Sequence, residues 1–270
     1  MKSAETEGLD RLYHYQPFDL DRLRPIICDR QIYFSKPTDF NDPWDCKPYF
    51  NSACLSDRDT LERHVAWYVT ITRRHRPDIS EPEIQRRAAE LRSNPGLLRS
   101  KIHGSSFSMA IGISERYRVY CLSTKPDCEL MWAHYANKHQ GICLEFALPN
   151  SVLNLALKVS YSKIYPFFDI TDSRAEHNLM PLLSKSAAWA YEDEYRLVAQ
   201  ERDTATPHDT LITQGGILQL PEGSLKTVIA GCIAPDTTIA AIKRLVEDAG
   251  YPIQFKCATR APDQYKLDIV

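Results

Sequence analysis

Short segments of alternating apolar residues lie at both ends of this chain, and a long block of helical periodicity separates them. The alternation is typical of half-buried strands; it occurs at residues 12–15, 32–35, 119–123, 142–146, 227–230, 253–257 and 265–269. Strands at both ends with helices between them predict an α+β fold with a mixed, mainly antiparallel sheet. We expect a single domain over residues 1–270, with a helical insertion at about 57–117.

The composition is that of an ordinary globular protein, with 43% hydrophobic residues and a formal net charge of −2. This balance argues against bulk binding of nucleic acid. The N-terminus is polar, and no run approaches the ~18 apolar residues that a membrane span needs. We therefore expect a cytoplasmic protein that does not bind membranes. The eight cysteines include no Cys-x-x-Cys pair, which predicts reduced thiols rather than a zinc site.

The predicted insertion is rich in basic residues. Between Arg73 and Lys101 the chain has eight lysines and arginines against four acidic residues. Such an excess could contact phosphates. The acidic residues are interleaved with the basic ones, however, which favours an ordinary solvated helix face.

Two N-terminal segments combine aromatic and polar residues. His14 alternates with tyrosines on a predicted strand, and is either a hydrogen-bonded structural residue or a donor to a ligand. Tyr33 and Ser35 end the next strand, and Asp42 belongs to a turn before proline. Asp45 stands between a tryptophan and a cysteine, so its carboxylate should pair with a cation or bind a ligand.

A third segment joins a strand that ends at Ser123 to a predicted helix carrying Trp132, His134 and Tyr135. Aromatic residues on a short helix either pack it onto the sheet or form the wall of a pocket. Both interpretations remain open for these three side chains.

The fourth segment contains Glu192, Glu194 and Arg196, after a helix predicted at about 174–188. If the segment is extended, these three side chains share one face. Arg196 would hold a carboxylate ionised and oriented, and Lys185 is a second nearby cation. The pair could anchor a corner of the fold, but Glu194 is the preferred candidate for a catalytic carboxylate.

Together these motifs resemble a bacterial family, the domain-of-unknown-function family 2971, over nearly the whole chain. The resemblance implies no established activity. It is carried by Leu12-Tyr13 with Tyr15, by Tyr33-Phe34-Ser35 with Phe40-Asn41-Asp42-Pro43, by Trp132, His134 and Tyr135 with Gly141, by Trp189 and Tyr191 with Glu192, Glu194 and Arg196, and by the strand–glycine–helix–strand tail.

The order of His14, Ser123-Thr124 and the Glu192/Glu194 pair also resembles the ADP-ribosyltransferases. That resemblance implies that Glu194 stabilises positive charge on a ribose and that Glu192 orients the acceptor or the ribose. It further implies that His14 and Ser123 position a dinucleotide.

The sequence thus predicts a nucleotide-binding protein, with NAD as its cofactor or substrate and no metal. The activity would be ADP-ribosyl transfer to a protein or nucleic-acid acceptor, or NAD hydrolysis, in a defence or effector role. The predicted ligand-binding residues are His14, Tyr33, Ser35, Asp45, Ser123, Trp132, His134, Tyr135 and Arg196. One alternative is a Mg²⁺-dependent nuclease or phosphodiesterase using Asp42, Asp45, Glu192 and Glu194. Another is a nucleotide sensor without enzymatic activity.

Overall fold

A computed structural model describes residues 1–49, 55–167, 169, 171, 179–201 and 211–270, without the side chains of residues 103 and 105–110. Its strands are β1 Arg11–Gln16, β2 Gln31–Tyr33, β3 Tyr117–Ser123, β4 Ile142–Ala147, β5 Leu157–Lys158, β6 Ser160–Ser162, β7 Ser184–Ser186, β8 Glu194–Glu201, β9 Leu211–Thr213, β10 Ile217–Gln219, β11 Leu225–Ala230, β12 Gln254–Arg260 and β13 Leu267–Ile269. Its α-helices are α1 Leu20–Cys28, α2 Arg58–His75, α3 Glu81–Ser93, α4 Pro95–Arg116, α5 Glu129–Tyr135 and α6 Asp236–Glu247.

The main sheet has the strand order β13-β12-β11-β4-β1-β3-β8-β5, and β9 pairs with β8. The β11/β12 and β8/β9 pairs are parallel, whereas the other neighbours are antiparallel. Small two-stranded ribbons, β10-β2 and β6-β7, lie beside it. The predicted α+β class and the mixed, mainly antiparallel sheet are confirmed.

The main sheet splits between β1 and β3. Strand β1 pairs with β4 along its whole length, from Arg11↔Ala147 to Gln16↔Ile142. Strand β3 likewise pairs with β8 from end to end. Between β1 and β3, however, the only paired residues are Tyr13 and Ser123. The two halves of the sheet therefore meet at one point and open a gap beside it.

Helix α1 covers one side of this gap. Asp19 accepts a hydrogen bond from the backbone N–H of Asp21 at 2.9 Å and so caps the helix start, as its position before the helix predicts. Leu23, Ile26 and Ile27 are buried and join the main hydrophobic core. This arrangement fixes α1 and the following strand β2 beside β1.

The predicted insertion contains helices α2, α3 and α4, which pack around a hydrophobic core of their own. Asp57 accepts from the N–H of Thr60 at 2.8 Å and caps α2. The core consists of Leu55, Val65, Val69, Ile84, Ala88, Leu91, Leu98 and Ile102. None of the helices in the described parts of the chain combines the length and the apolar character needed to cross a bilayer.

Gly141 allows helix α5 to end against strand β1. A Cβ atom at this position would lie 2.5 Å from the carbonyl oxygen of Gln16 and 2.8 Å from the backbone of Ala136. Any side chain would therefore push the turn after α5 away from the end of β1. The contact keeps α5 beside the gap in the sheet.

The continuous helix predicted at about 174–188 is wrong. Residues 174–178 lie outside the described part of the chain, residues 180–182 form only a short 3-10 turn, residues 184–186 form strand β7, and residues 187–192 form a second 3-10 helix. Strand β7 pairs in parallel with β6, and the Ser186 hydroxyl accepts from the N–H of Ala188 at the start of the 3-10 turn. Tertiary pairing thus overrides the helical pattern.

Candidate functional site

A cleft of about 720 Å³ lies where the two halves of the sheet separate. This volume is within the range of about 300–1,000 Å³ that is usual for small-molecule sites. Strands β1 and β3 form its base, α1 and β2 one side, and α5 the other. Nine of the eleven predicted site residues line it: His14, Tyr33, Ser35, Asp45, His134, Tyr135, Glu192, Glu194 and Arg196.

Arg196 is fully buried at one wall of the cleft and holds two carboxylates. Its Nε and Nη2 donate to Glu194 at 2.8 and 2.9 Å, and its Nη1 and Nη2 donate to Asp45 at 2.9 and 2.6 Å. Nη1 also donates to the carbonyl of Leu182 at 2.8 Å. The predicted pairing of Arg196 with Glu194 is therefore present, and Asp45 has the cation that its apolar setting requires.

Lys185 is the second buried cation of the site. Its Nζ lies 2.5 Å from Glu192, 3.2 Å from Glu194 and 3.6 Å from Asp45. The hydroxyl of Tyr135 donates to the other oxygen of Glu192 at 2.6 Å. Lys185, Arg196, Asp45, Glu192 and Glu194 thus form one continuous group, which we call the ionic cluster.

The local backbone explains how both glutamates reach Lys185. Glu192 is the last residue of the 3-10 helix, Asp193 adopts a left-handed conformation with φ of 42°, and Glu194 begins strand β8. Glu192 and Glu194 are therefore not on one extended face, as an unbroken strand would place them. The Ser123 hydroxyl donates to the backbone carbonyl of Glu192 at 2.6 Å and fixes this turn.

The two glutamates differ in their ionisation. Burial opposes the ionised form of Glu194, but Arg196 and Lys185 outweigh it and hold its pKa at about 2. Burial and the charge of Glu194 raise the pKa of Glu192 to about 7, although Lys185 acts in the opposite direction. Glu194 is therefore a fixed anion, whereas Glu192 can gain and lose a proton near neutral pH.

The ionic cluster has more negative than positive groups. Asp45, Glu192 and Glu194 supply three carboxylates, and Lys185 and Arg196 supply two cations. When all five groups are ionised, the cluster carries a net charge of −1. A buried net charge is costly unless an opposite charge approaches it, so this wall of the cleft favours a cation.

His14 joins the two halves of the sheet at the base of the cleft. Its Nδ1 lies 2.7 Å from the carbonyl oxygen of Cys121, and because a carbonyl only accepts, Nδ1 carries the proton. The imidazole stacks on Tyr120 with ring centroids 4.2 Å apart. Burial lowers the pKa of His14 to about 4, so the ring is neutral at physiological pH.

Aromatic rings form much of the remaining surface. Tyr33 is 54% exposed at the rim, and His134 is also exposed, while Tyr135 is half-buried beside Glu192. The Arg196 guanidinium lies 5.3 Å from the ring centroid of Phe40. Such rings can stack on a planar ligand or face a cation.

Two predicted ligand-binding residues do not line the cleft. Trp132 is completely buried, its indole N–H donates to the carbonyl of Pro126 at 2.8 Å, and it packs edge-on against Tyr15. It packs α5 onto the sheet, which was one of the two interpretations left open. Ser123 is also completely buried and supports the backbone of Glu192 rather than a ligand.

Of the four carboxylates that the magnesium hypothesis requires, three lie together in the ionic cluster and Asp42 lies apart. Asp42 accepts a hydrogen bond from the N–H of Trp44 at 2.9 Å and does not line the cleft. The other three are already bound to Lys185 and Arg196. Within the residues that the structure describes, no group of three or more His, Cys, Asp or Glu side chains is arranged to hold a metal ion.

Sequence reasoning missed several residues of the cleft. Lys185 was expected only as a nearby compensating charge, yet it contacts all three carboxylates. Gln16 and Tyr120 line the cleft but gave no signal, because each lies in an ordinary strand pattern. Gln16 lies two residues from His14 on the same strand face, which is the one hint that the sequence offered.

Fold and cleft define an α+β protein with a ligand-sized cavity at a split in its sheet, lined by a buried ionic cluster. Residues 131–197 match the family described as "Protein of unknown function (DUF2971)". The predicted resemblance to that family is confirmed over this segment, which contains Lys185, Glu192, Glu194 and Arg196. Neither the curated proteins nor the solved structures gave a significant match.

Proposed function

We propose that this protein binds NAD in the cleft and cleaves the bond between its nicotinamide and its ribose. The observation that carries the proposal is the net negative charge of the ionic cluster, placed against an aromatic-walled cleft of about 720 Å³. The nicotinamide ring of NAD is a planar cation, and the ribose becomes cationic as the bond breaks. The negatively charged wall of the cleft can attract the nicotinamide cation and stabilise the cationic ribose.

The bond between ribose C1′ and the ring nitrogen breaks, and its electron pair remains on the nitrogen, which gives neutral nicotinamide. Water then attacks C1′ and loses a proton, which gives ADP-ribose. A nucleophile on a protein or nucleic acid in place of water would give ADP-ribosyl transfer.

Glu192 is the better candidate for the catalytic carboxylate in this scheme. Both oxygens of Glu194 bind Arg196, and Lys185 adds a third bond. Among the described residues, the Glu192 carboxylate has only Lys185 and Tyr135 as partners. Its pKa of about 7 suits a group that stabilises a cation and takes a proton from water. This assignment reverses the roles that the resemblance implied for the two glutamates.

The test is chromatography of NAD after incubation with the wild type, Glu192→Gln and Glu62→Gln. Glu62 pairs with Arg92 on the surface of the insertion, so its variant is a matched control. We expect nicotinamide from the wild type and Glu62→Gln, and a loss of about 10²–10³-fold in Glu192→Gln. Glu192→Gln should remain folded, because glutamine keeps partners for Tyr135 and Lys185 and removes the uncompensated charge.

Two results would overturn the proposal. An unchanged rate in Glu192→Gln would remove that carboxylate from the mechanism. Binding of NAD by the wild type with no product would favour the nucleotide sensor.

A further inference from the structure

Two polar atoms of the cleft residues have no hydrogen-bond partner within the part of the chain that the structure describes. They are Nε2 of Gln16 and the hydroxyl oxygen of Tyr120, and both are buried. Both residues line the cleft. Tyr120 is 3% exposed, and burial raises the pKa of its hydroxyl well above the ordinary value, so the hydroxyl keeps its proton.

Both residues are neighbours of His14. Tyr120 stacks on the His14 ring, and Gln16 is two residues along β1, on the same face of the strand. Strands β1 and β3 make no backbone pairs beyond Tyr13 and Ser123, so the sheet is open next to His14. The side chains of Gln16 and Tyr120 line the cleft at this opening.

The fold gains nothing from leaving these groups unpaired. A buried donor without a partner loses its bonds to water and receives none in return. Tyr120 otherwise packs against Phe34 and Phe146, with ring centroids 5.5 and 6.2 Å apart, so phenylalanine would suit its surroundings equally well. Among the described residues this hydroxyl has no partner, so it is free to bind a ligand that enters the cleft.

We propose that Gln16 and Tyr120 together bind hydrogen-bond acceptors on the edge of a planar ligand group. The Gln16 amide N–H and the Tyr120 O–H would both donate to that edge. In NAD two groups offer such acceptors: the carboxamide oxygen of nicotinamide and the ring nitrogens of adenine. This assignment deepens the proposed function and rests on it for the choice of ligand.

The test measures both unfolding and binding in Tyr120→Phe and Gln16→Met. The matched control is Gln200→Met, because Oε1 of Gln200 is also buried without a partner among the described residues but Gln200 does not line the cleft. Glu192 is left unchanged in all variants, because its charge contributes to binding of the nicotinamide cation. Carbocyclic nicotinamide mononucleotide, which cannot form the oxocarbenium ion and is not cleaved, and AMP are titrated separately by calorimetry, and thermal unfolding is recorded without ligand.

We expect Tyr120→Phe and Gln16→Met to raise the unfolding midpoint and to weaken binding of one of the two ligands by about three- to tenfold. Weaker binding of carbocyclic nicotinamide mononucleotide identifies the carboxamide as the bound edge, and weaker binding of AMP identifies adenine. Gln200→Met should raise the midpoint and leave both affinities unchanged.

Unchanged affinities in both cleft variants, or no binding of either ligand, would overturn this inference. The outcome is separable from that of the proposed function. Cleavage of NAD by the wild type with unchanged affinities in the variants refutes only the role of Gln16 and Tyr120. Variant-sensitive binding without cleavage refutes only the enzymatic activity.

Discussion

The helical insertion and the cleft contain the same kinds of charged residues in opposite settings. In the insertion, Arg92 and Glu62 lie 2.9 Å apart with 44% and 47% of their side chains exposed. Four similar exposed contacts link Arg73 to Glu81, Arg76 to Asp78, and both Arg86 and Arg87 to Glu83. In the cleft, no side chain of the ionic cluster is more than 5% exposed.

The charged residues of the insertion keep its surface solvated, whereas the buried charges of the cleft must be compensated by one another. Exposed ion pairs contribute only about 0.2–1 kcal/mol, because water and salt screen them. Five arginines of the insertion form ion pairs with its own acidic residues, which supports a solvated helix face rather than phosphate binding. In the ionic cluster, each group compensates the buried charge of its partners, and the surplus negative charge remains available to a ligand.

The largest effect on stability should come from removing the buried guanidinium of Arg196. Arg196→Met leaves Glu194 and Asp45 without their main partner, and we expect it to lower the free energy of unfolding by about 3–5 kcal/mol. The matched variant Arg92→Met removes an exposed arginine and should cost less than about 1 kcal/mol. Urea unfolding measures both. Equal losses in the two variants would show that the cluster is no different from the surface pairs.

A smaller effect should appear in the pH dependence of NAD cleavage. The pKa of Glu192 is raised to about 7, so its negative charge is lost as the pH falls through 7. We expect the rate of NAD cleavage to fall about tenfold for each pH unit below that value. Initial rates between pH 5 and 9, with circular dichroism to confirm folding, measure it. A rate that stays flat down to pH 5 would show that the ionised form is not required.

The same shift predicts a trend in stability. A carboxylate whose folded pKa lies above its ordinary value of 4.5 favours the folded state at low pH and loses that contribution as the pH rises through 7. The wild type should therefore lose stability relative to Glu192→Gln as the pH rises from 4.5 to about 7.

Local signals predicted much of the fold correctly. Asp19 before α1 and Asp57 before α2 mark helix starts that depend on neighbouring residues only. The helix predicted at 174–188 failed because strand β7 depends on its pairing with β6, which no local pattern reports.

The site was predictable only in part, for the same reason. Glu194 and Arg196 are two residues apart on one strand, so their contact could be read from alternation. The contact between Arg196 and Asp45 spans 151 positions. The contacts of Lys185 with Glu192 and Glu194 depend on the 3-10 helix and on the left-handed Asp193. The cleft itself depends on how β1 and β3 diverge.

If the net negative charge of the ionic cluster recruits a cation to the cleft, the charge of the nicotinamide ring should decide how tightly NAD binds. Carbocyclic NAD, which lacks the ribose ring oxygen and cannot form the oxocarbenium ion, allows this to be measured without cleavage. Calorimetry at pH 8 compares its oxidised form, which has a cationic nicotinamide ring, with its reduced form, which has a neutral one. We predict severalfold tighter binding of the oxidised form by the wild type, and loss of this preference in Glu192→Gln. Equal binding of both forms by the wild type, or tighter binding of the reduced form, would contradict recruitment of a cation by the ionic cluster.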